Sequence, residues 1–128
     1  MPRFAVLEHE SPRGLHWDLL LEHASALAAW ALPEPPDAPH VLSAPALPDH
    51  RLAYLDYEGP ISDGRGRVAC WDRGTFHAVQ WGVTTIVVMV QGSRLRGRAS
   101  LRRDPQRPER WEFSFDPSTG EKRGKGGI

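Results

Sequence analysis

Leu15-His16-Trp17-Asp18-Leu19-Leu20-Leu21-Glu22 is the stretch whose reading decides the fold. Its odd positions are all large and apolar, whereas the even ones are His16, Asp18, Leu20 and Glu22. A strand sends alternate side chains to opposite faces, so His16 and Asp18 share a face here. A helix would set them about 200° apart around its axis. Period two makes this a strand. Working outward, Phe4 to Leu7 reads as the strand before it and Leu27 to Leu32 as the one after. Leu52 to Tyr57, Val68 to Trp71, Phe76 to Gln80, Thr84 to Val90, Arg94 to Leu101 and Trp111 to Phe115 follow. The run Thr84-Thr85-Ile86-Val87-Val88-Met89-Val90 has the β-branched character of a central strand buried on both faces.

Ser62-Asp63-Gly64, Asp72-Arg73-Gly74 and Gln91-Gly92-Ser93 read as turns between these runs. Many short strands at regular spacing predict an all-β, mainly antiparallel fold, an eight-stranded β-barrel with short helical or irregular connections. Twelve Gly and twelve Pro spread along 128 residues leave no room for long helices. Residues 33 to 48, with six prolines, read as an extended surface connection. One domain is expected over residues 1–117 and a flexible polar tail over 118–128.

The longest apolar run, Ala26 to Leu32, has seven residues, too few to span a bilayer. Met-Pro-Arg-Phe lacks the basic-then-apolar start of a secretory leader, and the single Cys70 cannot form an internal disulfide. A cytoplasmic protein without a membrane partner is expected, and a monomer. The formal net charge is zero. Yet residues 1–64 hold three Arg against ten acids, and residues 65–128 hold thirteen basic groups against six. Fourteen of the sixteen basic residues are Arg, whose planar fork of donors suits phosphate.

The titratable residues sort into groups. His9 closes the first strand, and a hairpin through Glu10-Ser11-Pro12-Arg13-Gly14-Leu15 returns the chain so that His9, His16 and Asp18 converge. Two imidazoles and a carboxylate suit a divalent transition metal with open positions; the alternative is three ordinary strand residues. His50 and Tyr54 could donate to a phosphate oxygen, or Tyr54 could be a packing residue. Arg94, Arg96 and Arg98 alternate with Leu95, Gly97, Ala99 and Leu101. They form either a stripe tracking a nucleic-acid backbone or the solvated face of an edge strand. Arg65 and Arg67, in Gly64-Arg65-Gly66-Arg67, are candidates for contact with a ligand. His23, His40 and His77 stand apart and read as structural or surface residues.

Assembled in order, these residues resemble the 3′-phosphoesterase domain found at the N-terminus of bacterial DNA ligase D and as stand-alone proteins. The resemblance rests on Val6-Leu7-Glu8-His9, His16-Trp17-Asp18-Leu19-Leu20-Leu21-Glu22, Trp30-Ala31-Leu32-Pro33 and Asp49-His50-Arg51-Leu52-Ala53-Tyr54. It continues through Glu58-Gly59-Pro60-Ile61-Ser62-Asp63-Gly64, Trp71-Asp72-Arg73-Gly74 and Gln91-Gly92-Ser93-Arg94-Leu95-Arg96-Gly97, so it covers residues 4 to 115. It implies an eight-stranded barrel with the site in its concave face. It also implies Mn2+, or another divalent ion such as Zn2+ or Co2+, held by His9, His16 and Asp18. The implied reaction is removal of a 3′-terminal ribonucleoside and then of a 3′-phosphate, with His50 and Tyr54 at the scissile phosphate. The implied partners are nucleic-acid 3′ ends, DNA or RNA, with ligase and polymerase functions on separate chains. One departure stands out. The family has an arginine two residues after the aspartate, where this chain has Leu20. Either Arg13, Arg51, Arg65 or Arg67 replaces that charge, or the substrate differs, or the chain is a weak or inactive module that binds nucleic-acid ends.

Overall fold

The computed structural model describes residues 1–118. Ten strands form one antiparallel sheet. They are β1 (Arg3–Ser11), β2 (Gly14–His23), β3 (Ala26–Leu32), β4 (Leu42–Ser43), β5 (Ala46–His50), β6 (Gly59–Pro60), β7 (Arg67–Trp81), β8 (Thr85–Gly92), β9 (Arg96–Asp104) and β10 (Arg107–Pro117). The hydrogen-bonded order is β4-β10-β9-β8-β7-β1-β2-β3-β5, with β6 added to β7. The ladder does not close on itself. Its two ends, β4 and β5, are parts of one chain stretch, 42–50, which pairs first with β10 and then with β3. Ala44 N donates to Trp111 O at 2.8 Å and Ala31 N donates to Pro45 O at 3.0 Å, so this stretch spans the seam of a barrel-like sheet.

The alternation read in β2 explains two separate cores. Trp17, Leu19 and Leu21 turn to the main core inside the sheet, with Phe4, Val6, Trp30, Phe76, Val88, Leu101 and Phe113. Leu20 is fully buried on the opposite face, in a smaller cluster with Ala5, Leu7, Leu27, Ala29, Leu55 and Val68. Segment 47–61 covers this second face, contributing Leu47, Tyr54, Tyr57 and Ile61.

Four expectations need correction. Leu52 to Tyr57 is not a strand: Leu52–Leu55 is a 3₁₀ turn, with Tyr54 N donating to Arg51 O at 3.0 Å. The sheet beneath has no free edge there, because β1, β2 and β7 already pair on both sides, so the segment satisfies its backbone locally. Val68 to Trp71 and Phe76 to Gln80 are one strand, β7, and Asp72-Arg73-Gly74 is not a turn. The register slips between Val6 and Leu7, leaving Trp71 as a bulge. The proline-rich connection contributes β4 and β5, which prolines permit because both lie at the ends of the sheet. The expected strand Arg94 to Leu101 begins later, at Arg96. Ser118, where the expected tail begins, donates its N–H to Arg96 O at 2.6 Å; the rest of that tail, residues 119–128, lies outside the described residues.

The β2–β3 turn places Ala24 at φ 50° and Ser25 at φ 72°. A two-residue hairpin turn demands this left-handed backbone, and Asn-Gly adopts it best. Ser25→Gly is therefore expected to stabilise the fold by about 1 kcal/mol, read as a higher thermal midpoint.

Candidate metal centre and catalytic cleft

The hairpin of β1 and β2 places His9 directly opposite His16, and Leu7 opposite Asp18. Ser11 closes its turn, donating from Oγ to Gly14 O at 2.9 Å, and Gly14 sits at φ 118°, where a side chain would be strained. His9 thus faces His16 across the pair and Asp18 on the diagonal. One ligand atom from each of the three residues lies within 4.8 Å of the others; no other such group occurs among the described residues.

The local chemistry fits a cation. His9 Nδ1 lies 2.9 Å from Asp18 Oδ2, and His16 Nε2 lies 2.8 Å from Asp18 Oδ1. A ring nitrogen this close to a carboxylate oxygen needs a proton or a metal ion between them. Asp18 is buried, 3% exposed, and its Oδ1 has no aligned hydrogen bond. An orphaned carboxylate oxygen flanked by imidazoles is costly without a positive charge, and N, N, O is a donor set that transition metals accept. The other nitrogen of His9, Nε2, donates to the Arg65 carbonyl at 2.8 Å.

These groups open into a cleft of about 300 Å³ lined by His9, Asp18, Asp49, His50, Tyr54 and Arg65, with Arg51 and Ile61 at its wall. It lies on the sheet face turned away from the main core, between the sheet and the covering segment. β5 carries His50 there through its pairing with Leu27. His50 Nδ1 donates to Pro48 O at 2.9 Å, which leaves Nε2 open. The Tyr54 ring meets His50 edge to face at 5.5 Å and Tyr57 at 5.6 Å, while the Tyr57 hydroxyl donates to Pro60 O.

The structure therefore brings His9, His16, Asp18, His50, Tyr54, Arg51 and Arg65 to one region. Arg13 stands exposed in the β1–β2 turn, and Arg67, exposed on β7, pairs with Glu10 and Pro60 outside the cleft wall. Arg94 and Arg96 lie elsewhere. The Arg94 guanidinium rests 4.7 Å from the centre of the Trp71 ring, and Arg96 Nε donates to Gly92 O at 3.1 Å. Arg96 and Arg98 are exposed while Leu95, Ala99 and Leu101 are buried, and Asp116 stands opposite Arg98 on β10. His23 stacks on Trp81, His40 lies 3.1 Å from Glu34 and His77 is exposed on β7.

Sequence reasoning missed Asp49 in the cleft and the carbonyl of Arg65. It also missed the role of Asp72, whose buried carboxylate accepts from the backbone of Arg73, Ser93, Arg94 and Leu95. Burial pushes the Cys70 thiol above its ordinary value, which keeps it protonated at neutral pH and unsuited to act as a nucleophile.

Two comparisons bear on this geometry. The family model for the DNA ligase D 3′-phosphoesterase domain matches residues 7–103. The chain is similar to the multifunctional non-homologous end joining protein LigD of Pseudomonas aeruginosa, 39% identical over 79 residues, covering 58% of this chain and 9% of that protein. It is also similar to the protein of the same name from Mycolicibacterium smegmatis, 29% identical over 115 residues, covering 77% of this chain and 15% of that one. The chain thus spans a small part of the length of these relatives.

Proposed function

Because the chain belongs to the DNA ligase D 3′-phosphoesterase domain family, which supports a role in processing 3′ ends, we propose that it is a metal-dependent phosphoesterase removing a 3′-phosphate and a 3′-terminal ribonucleoside from DNA or RNA ends. The observation that carries this reading is the shared cleft: His9 and Asp18 meet His50, Tyr54, Arg51 and Arg65 in one hollow. His9, His16 and Asp18 would hold the ion, Mn2+ or a relative such as Zn2+ or Co2+. When bound, that ion supplies Lewis-acid charge neutralisation at a phosphate oxygen.

The chain's own residues do the rest. Pro48 O holds the Nδ1 proton of His50, so in the imidazolium form Nε2 presents a second proton, which it can give to the departing oxygen. The Tyr54 hydroxyl donates to a phosphate oxygen as negative charge grows there. Arg51 and Arg65 are the two arginines that line the cleft and are the candidates to supply the positive charge that the buried Leu20 does not. Neither matches the position of the family's arginine, so binding of the phosphate is weaker or is oriented differently. The partners of this reading are nucleic-acid 3′ ends and the end-joining enzymes that seal them, and its place is the cytoplasm, where such ends occur.

The test is purified protein with Mn2+ and a primer-template ending in a 3′-phosphate or a 3′-ribonucleotide. Conversion to 3′-OH is expected, and no conversion at high enzyme concentration overturns the proposal. His50→Ala is expected to lower the rate by about 10²–10⁴-fold, with unchanged thermal melting. Leu20 favours a second reading, a module that binds 3′ ends without turnover. Salt-dependent DNA binding together with absent cleavage selects it.

A further inference from the structure

Arg65 enters the cleft wall from the turn at Ser62-Asp63-Gly64, and its main chain reaches the metal centre. Its carbonyl accepts from His9 Nε2 at 2.8 Å. A carbonyl has no proton to give, so Nε2 carries a ring proton, and Nδ1, 2.9 Å from the Asp18 carboxylate, meets it through a second proton or a metal ion. The turn that carries this carbonyl is fixed by its backbone at Gly66, while the exposed Arg65 side chain adds only a surface contact to Ser62. Ile61 N donates to Gly66 O at 2.7 Å. The Arg65 guanidinium folds back, Nε donating to Ser62 O at 2.9 Å and Nη2 to Ser62 Oγ at 3.1 Å. Gly66, at φ +93°, packs so tightly on β1 that a Cβ there would fall 1.7 Å from Glu10 O.

We infer that the turn 62–66 is a positioning device for His9: it selects which ring nitrogen joins Asp18 and His16 at the metal centre, and it does so through the Arg65 carbonyl rather than through the Arg65 side chain. The inference rests on the metal-binding reading above. Metal-bound histidines are commonly oriented by an acceptor on the far nitrogen, and losing that acceptor weakens binding. Arg65 also lines the cleft, so the turn that anchors His9 borders the place where a phosphate would sit.

Two variants separate the ends of Arg65, with Mn2+ affinity measured by calorimetry in the absence of nucleic acid. Gly66→Ala pushes the turn off β1 and is expected to raise the dissociation constant about 10–100-fold, whereas Arg65→Ala keeps the carbonyl and is expected to stay within about threefold. Arg65→Ala should instead raise KM for a 3′-phosphate end. A folded Gly66→Ala protein with unaltered affinity overturns the inference, as does Arg65→Ala losing as much affinity as Gly66→Ala.

Should Gly66→Ala not fold, the wild-type chain decides. Labelled with 15N and loaded with Zn2+, it should show His9 protonated at Nε2; protonation at Nδ1 overturns the inference. Metal binding that responds in this way without any hydrolysis overturns the proposed function alone. Absence of binding to either ion overturns both.

Discussion

Asp18→Asn is expected to abolish conversion of 3′-phosphate ends, lowering kcat/KM by at least ~10³-fold. The carboxylate is the one group that touches both imidazoles, through Oδ2 to His9 and Oδ1 to His16. An amide of the same shape has one oxygen where two are used, carries no charge, and turns an N–H toward one of the rings. The loss should show in Mn2+ affinity as well as in turnover, measured on the same preparation. Stability should not follow activity. A buried, incompletely satisfied carboxylate is expensive in the metal-free protein, and an apolar group of similar volume is often neutral or stabilising at such a place. Asp18→Leu is therefore expected to give an inactive chain whose metal-free thermal midpoint is no lower than that of the original. A large drop in that midpoint would mean that Asp18 is part of the scaffold and not primarily a ligand.

Asp72→Ala is expected to do the reverse, destabilising the fold for reasons unrelated to chemistry. Asp72 is 3% exposed and its two oxygens accept four backbone N–H groups, those of Arg73 at 2.9 Å, Ser93 at 2.8 Å, Arg94 at 3.0 Å and Leu95 at 2.8 Å. Three of these donors belong to the turn between β8 and β9, so one carboxylate fixes a connection more than twenty positions away in the chain. Removing it strands several donors at about 1–3 kcal/mol for each that water cannot reach, a total on the order of 4 kcal/mol. That is a large part of the stability of a domain this size. Denaturant titration should show a lower midpoint with little change in slope. Asp72→Asn keeps one acceptor oxygen and should lose roughly half as much. The neighbouring Gly92 has no space for a side chain, since a Cβ would fall 2.3 Å from Asp72 Oδ2.

The two aspartates mark what the amino-acid order makes legible. Asp18 could be found because period two and hairpin length together place it beside His9 and His16, and the register of β1 with β2 delivers that meeting. Asp72 sits in a stretch, Asp72-Arg73-Gly74, with the composition of a turn. Its neighbours pair with β1 and β8 instead, and the carboxylate serves a turn elsewhere. Local turn chemistry gave way there to partners distant in the chain. The same holds for Leu52 to Tyr57, whose apolar spacing suits a strand but which lies over a sheet with no edge to offer. β5 was hidden by Pro45 and Pro48, residues that argue against a strand except at a sheet's end. The Arg65 carbonyl left no trace in the sequence, because every residue carries one; only the glycine at position 66 hints that the backbone comes close to something.

Stretch 42–50 works like the pin of a clasp: its first half fastens to one rim of the sheet, its second half to the other, and His50 is its last link. A copy of the protein with every long strand in place but this pin undone would have no His50 beside Tyr54 in the cleft. On the proposed reading, closing the seam and seating His50 are one event, so a half-assembled copy is expected to be silent.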